Sequence, residues 1–172
     1  MPFLVRKIEL SKWRQRKVLE GESPSAETIT LDLRATGNKL SVWEIDSEIE
    51  IEEAVLAYIS KCDHLETMDL VIIEPSLIND NGLKVIESTE DTPYSDFARK
   101  HRDIIELDYD SLGRVWFCIV ESMKLRLEST TEQTVRFTKP KLIKILEQGI
   151  SGNKINSEEL KAGISKYIGS NK

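Results

Sequence analysis

The stretch His101-Arg102-Asp103, followed by Asp108-Tyr109-Asp110, holds the residue types nearest to a reaction centre in this chain. Two carboxylates one residue apart, with an imidazole close by, could offer hard anionic oxygens to a divalent cation that activates water. A metal-dependent hydrolase of this kind would use Asp108, Asp110 and His101. The same stretch has part of the spacing of a protein-kinase catalytic loop, but Asp108 stands where that loop needs Asn. The Gly-rich loop, the Val-Ala-Ile-Lys strand and the Asp-Phe-Gly triplet are missing as well. A simpler reading competes with the metal: Asp110 precedes a strongly amphipathic run, where Asp is a favoured helix cap. His101 falls on a helical stripe with Phe97 and Ile105, which predicts a partly buried core histidine.

Other chemistries fare no better. The triplet Glu159-Leu160-Lys161 has a nuclease-like pattern, but it lies on a predicted helix with no nearby upstream Asp. Cys62 and His64 are too close in sequence to oppose each other as nucleophile and base. Cys62 and Cys118 sit in apolar, helix-like segments and read as reduced core thiols. No zinc spacing, Walker loop or dinucleotide fingerprint occurs. No catalytic residue, metal or cofactor is therefore assigned, and the chain is expected to be non-catalytic.

Charge is the more informative signal. Residues 44–110 carry nineteen Asp/Glu against five Lys/Arg, whereas the rest carries eleven against nineteen. Such polarisation suits a protein that faces charged partners or pairs in a fixed orientation. Arg6, Lys7, Lys12, Arg14, Arg16 and Lys17 lie within twelve residues, with Trp13 among them. Bases around an aromatic residue suit a protein-docking surface anchored by Trp13, since Trp and Arg are enriched at interface hot spots. They also suit phosphate contact and base stacking. The net charge of −6 favours an acidic protein as partner and limits nucleic acid to weak binding. Self-association is a further arrangement the polarity allows. A second basic group, Arg136, Lys139, Lys141 and Lys144, opens the C-terminal region.

The elements that position these residues follow from period and punctuation. Strands are predicted over Phe3 to Leu10, Leu40 to Ile45, Met68 to Glu74, Leu83 to Ile86 and Val135 to Thr138. The continuous run Leu70-Val71-Ile72-Ile73 marks a central strand. Helices are predicted from Ser23-Pro24 to about Arg34 and from the Ser47/Glu50 capping box through Cys62. Two more start at Thr92-Pro93 and at Asp110-Ser111. The latter places Leu112, Val115, Trp116, Ile119, Val120, Met123 and Leu127 on one face and should be the central buried helix. Another begins at Lys139-Pro140, and a last one is capped by Asn156 with Ile155 and Leu160 as a hydrophobic staple.

This order predicts an α/β fold, a mixed sheet of about five strands flanked by helices, with a helical C-terminal end. One domain over residues 1–150 and a C-terminal helix over 151–172, packed on it or appended to it, account for the 172 residues. Arg6 and Lys7 interrupt the apolar opening Phe3-Leu4-Val5, and no run reaches membrane-spanning length, so the expected location is the cytoplasm.

Three stretches together resemble small uncharacterised bacterial proteins encoded beside defence or toxin–antitoxin genes. They are Pro2 to Ile8 with Lys12-Trp13, Leu40 to Trp43 followed by Glu53 to Ala57, and His101-Arg102-Asp103 leading to Leu107-Asp108-Tyr109. The resemblance implies an accessory, partner-binding role and supplies no catalytic residues. The expected function is protein–protein association. The alternatives are a nucleic-acid-binding accessory protein using the basic N-terminal segment, and the divalent-metal hydrolase above.

Overall fold

A computed structural model describes residues 2–13, 19–21, 23–129 and 134–168. Six strands form one sheet: β1 (Phe3–Ile8), β2 (Leu40–Ile45), β3 (Met68–Ile73), β4 (Lys84–Glu87), β5 (His101–Ile105) and β6 (Val135–Phe137). Their spatial order is β4-β5-β2-β1-β3-β6, and every neighbouring pair is antiparallel. The fold is α/β as expected, with six strands in place of five and an antiparallel sheet in place of a mixed one. The apolar run of β3 marks a strand buried on both faces, a pattern common in parallel sheets. All six residues of β3 are indeed buried. The cause is a helical layer on each side, which makes the same demand of an antiparallel strand.

The two layers define two cores. Val5, Trp43, Leu70 and Ile72 point to one face and meet α2 (Ile51–Ser60) and α6 (Lys139–Ser151). Leu4, Val42, Val71 and Ile73 point to the other and meet α5 (Tyr109–Glu128), α3 (Pro75–Asp80) and α1 (Leu10–Trp13). Alternation along each strand assigns residues to faces, as a period of two requires. α5 buries Val115, Cys118, Ile119, Val120 and Met123, so the helix predicted to be central is the chief cover of its face. α2 and α6 approach closely because Gly149 lacks a side chain: a Cβ there would lie 2.7 Å from Leu56 Cδ2.

Local structure departs from expectation in three places. The segment after Ser23-Pro24 forms only a short helical stretch ending in a wide turn at Thr28–Asp32. The C-terminal segment splits into a 3-10 turn (Ser157–Glu159) and α7 (Ala162–Ser165), with Asn156 Oδ1 accepting from Glu158 N. Ile155, Leu160 and Ile164 still reach the core shared by α2 and α6. The run after Thr92-Pro93 makes only α4 (Ser95–Ala98), and His101 to Ile105 is a strand. Among the described residues, no helix is long and apolar enough to cross a membrane.

Candidate functional site

In the basic N-terminal segment Trp13 is buried, Arg6 and Lys12 are partly buried and Lys7 is exposed. Trp13 is 0% exposed, and its indole Nε1 donates to Asp32 Oδ2. It is therefore a core residue, which corrects its expected role as an exposed docking anchor. The register of β1 with β2 runs from Phe3↔Ile45 to Val5↔Trp43. Next to it the Arg6 guanidinium takes over, donating from Nη1 to Ser41 O (2.7 Å) and from Nη2 to Asp32 O (2.8 Å). Burial lowers the Arg6 pKa, and the nearby Tyr58 and Asp32 partly counter that. Lys7 donates its backbone N–H to Tyr58 Oη. Lys12 pairs with Glu9 at 2.5 Å, a bond that holds the Glu9 carboxyl below its usual range. Arg14 and Arg16 lie outside the described residues.

Part of the charge asymmetry is resolved within the chain. The basic C-terminal third pairs with the acidic middle: Arg126–Glu48 (2.6 Å), Arg136–Asp69 (2.8 Å), Lys161–Asp63 (3.0 Å), Lys141–Glu52 (3.5 Å) and Lys154–Glu53. The acidic start of α2, favoured there by the helix dipole, thus also faces α6 and the turn after it.

The metal alternative does not form. Among the described residues, no group of three or more His, Cys, Asp and Glu is placed to hold a cation, so Asp108, Asp110 and His101 make no such centre. Asp108, rather than Asp110, caps α5. Its Oδ1 accepts from Ser111 N (2.8 Å) while Ser111 Oγ accepts from Asp108 N (2.6 Å), a reciprocal box. These bonds hold the Asp108 carboxyl below its usual range. The two thiols are pushed the other way by burial, Cys118 to about 11, and each donates to a backbone carbonyl. Neither has the depressed pKa of a reactive cysteine.

His101 has different partners from those expected. On β5 it stands opposite Trp43 of β2, and the two rings meet edge to face at 5.1 Å. β4 runs antiparallel alongside, and the register Glu87↔Arg102 brings Ser88 next to His101. Ser88 N donates to His101 O, and Ser88 Oγ lies 2.7 Å from His101 Nδ1. On the far side of the ring, Nε2 is 3.0 Å from Glu90 Oε2, while Lys61 holds the other oxygen of Glu90. The Nε2 contact is close but not linear enough to count as a hydrogen bond. Burial lowers the His101 pKa, outweighing Glu90 and Asp103, which raise it, so the ring is neutral at pH 7. A neutral ring with Nε2 facing a carboxylate carries its proton on Nε2, and Nδ1 then accepts from the Ser88 hydroxyl.

This row borders a cavity of about 320 Å³ lined by Arg6, Ser41, Thr89, Glu90, His101 and Asp103, with Arg34 and Lys39 also on its wall. Buried titratable groups converging on a concavity are the usual mark of a working site. Sequence reasoning singled out His101 but missed Ser88 and Glu90. The available signal was the short strand Leu83 to Ile86, which could have been paired with a strand containing His101.

A second feature lies on the opposite layer. The outward side of α5 leaves Phe117 (43%), Leu125 (48%) and Leu127 (53%) exposed, with Tyr109 exposed at its start. Ile49, 90% exposed, adjoins Glu48, whose carboxylate grips Arg126 between the two leucines. Comparison with known proteins finds no matching family model, no similar curated protein and no similar solved structure.

Proposed function

We propose that this chain acts by protein–protein association, as a cytoplasmic accessory protein of the kind its resemblance to defence-associated and toxin–antitoxin-associated proteins implies. The observation that supports this reading is the number of large apolar side chains left exposed around the outward side of α5, Phe117, Leu125 and Leu127, with Ile49 also exposed beside Glu48. Single exposed apolar side chains are ordinary, but several gathered on the outward side of one helix are what an interface leaves when the partner is absent. The docking surface therefore moves from the basic N-terminal segment, where Trp13 and Arg6 are committed to the fold, to the outer face of α5. The partner it fits presents an apolar surface of its own.

The test is tagged capture from the native host with the wild type and with Leu125→Asp/Leu127→Asp, alongside light scattering of each purified protein. A partner recovered near one to one with the wild type should fall by about tenfold or more with the variant. The melting temperature should change little, because both side chains are largely outside the core. Concentration-dependent dimerisation lost in the variant would make the partner a second copy. Equal recovery by both proteins, or no partner and no dimer, would overturn the reading.

A further inference from the structure

We infer that Ser88 is an acyl-accepting nucleophile, with His101 as its general base and Glu90 as the residue that positions His101. The inference is independent of the docking surface and reverses the expectation that the chain is non-catalytic. Its basis is the arrangement Ser88 Oγ, 2.7 Å, His101 Nδ1, then His101 Nε2, 3.0 Å, Glu90 Oε2. A hydroxyl is a weak nucleophile until a base within hydrogen-bond reach takes its proton, and the base is most effective when a third group orients it. All three functions are filled here by side chains from one hairpin and the loop that follows β4.

Several independent features fit. The imidazole is enclosed and braced by the edge-on Trp43 ring, so it cannot turn freely away from Ser88. Lys61 fixes Glu90 from the other side. Ser88 is half-buried, where a nucleophile remains reachable, and it adjoins a cavity that Thr89, Glu90 and His101 line and Ser88 itself does not. The poorly aligned Nε2 contact is of the kind that tightens when substrate is bound and the imidazole takes up charge.

The substrate class follows from the chemistry of an activated hydroxyl, which attacks an acyl carbonyl. The adjoining cavity of about 320 Å³ is near the lower end of small-molecule sites, which limits the group held beside the reacting carbonyl to a short one. Its wall carries Arg34 and Lys39 but also Glu90 and Asp103, so it specifies no charge on the carboxylic ester. In the first step Ser88 Oγ bonds to the ester carbonyl carbon and its proton passes to His101 Nδ1. The ester C–O bond then breaks, and the alcohol leaves with the proton from Nδ1. In the second step water attacks the acyl group on Ser88, delivering one proton to Nδ1. The acid departs, and that proton returns to Ser88 Oγ. No oxidant, metal or cofactor enters the balance.

The probe is an alkyl fluorophosphonate, which phosphonylates an activated serine with loss of fluoride, read by intact mass and peptide mapping. The folded wild type should acquire one adduct, at Ser88, and Ser88→Ala should acquire none. The wild-type labelling rate should rise with pH through a midpoint below 6.5, the ordinary value of His. Glu90, Asp103, Lys61 and Arg102 face the ring and set that midpoint. Glu90→Gln should label about a hundredfold more slowly, in keeping with the weight of general-base catalysis. Its midpoint should move lower still, a shift that a merely structural Glu90 would not give. No adduct at Ser88 in folded wild type would overturn the inference. So would a Glu90→Gln variant with unchanged rate and midpoint, or an adduct that Ser88→Ala retains.

Discussion

The indole Nε1 of Trp13 and the backbone N–H of Glu9 donate to the same oxygen, Asp32 Oδ2. One carboxylate thus ties the end of β1, helix α1 and the Thr28–Asp32 turn into a single corner. Arg6 Nη2 closes that corner by donating to the Asp32 carbonyl. The aromatic residue that looked most like an exposed anchor is the one around which the N-terminal part of the chain is packed.

Trp13→Ala should therefore cost about 3–5 kcal/mol of stability, the usual range for removing a large aromatic side chain from a core. Trp13→Phe keeps much of the apolar volume but removes the donor. It should cost less, chiefly the lost hydrogen bond to a charged acceptor, about 1.5–3 kcal/mol. Urea denaturation of both variants checks the order. A Trp13→Ala protein as stable as wild type would show that the corner contributes nothing to the fold.

The start of α5 supplies a second prediction. Asp108→Ala should lower the melting temperature, because Asp108 Oδ1 and Ser111 Oγ satisfy each other's backbone donors. Asp110→Ala should change it much less, since Asp110 lies in the first turn and is not the cap. The folded-state pKa of Asp108 lies below its ordinary 3.8. The cap's electrostatic contribution is thus fully present above pH 3.8 and is lost as pH falls through the lower, folded value. Melting temperatures of wild type and Asp108→Ala should converge in that acidic range.

How much was legible in the sequence depends on how local each signal was. β1, β2, β3, β6, α5 and α6 are marked by their own residues: alternation, a continuous apolar run, apolar spacings of three and four, and Pro at a helix start. The segment from Thr92 to Ile105 misled because Phe97, His101 and Ile105 recur every four residues, which satisfies a helix and a strand alike. Pairing of His101↔Trp43 and Ile104↔Leu40 with β2 decided for the strand. That choice carried the site with it. As a helical residue His101 was matched to Asp108 and Asp110, while its contacts, Ser88 and Glu90, depend on a hairpin register that no local spacing reveals. The charge polarisation is plain in the composition, but pairs such as Arg136–Asp69 and Lys161–Asp63 span tens of residues and arise only from the tertiary fold.

The enclosed ring of His101 makes a third prediction, on stability against pH. Burial lowers its folded-state pKa below the ordinary 6.5, against the opposing pull of Glu90 and Asp103 and with Lys61 and Arg102 acting in the same direction as burial. Between the folded and unfolded values the unfolded chain binds a proton that the folded chain does not, so stability rises with pH across that interval. Above pH 6.5 both states are neutral at this position and the whole contribution is present; as pH falls below 6.5 it is progressively lost. Urea midpoints measured between pH 8 and pH 5 should therefore decline for the wild type. His101→Gln removes the titrating group and should flatten that decline, even though it lowers stability at pH 8 by disturbing the contacts with Ser88 and Trp43. Parallel curves for the two proteins would place the acid sensitivity in other groups and show that His101 takes up its proton as readily folded as unfolded.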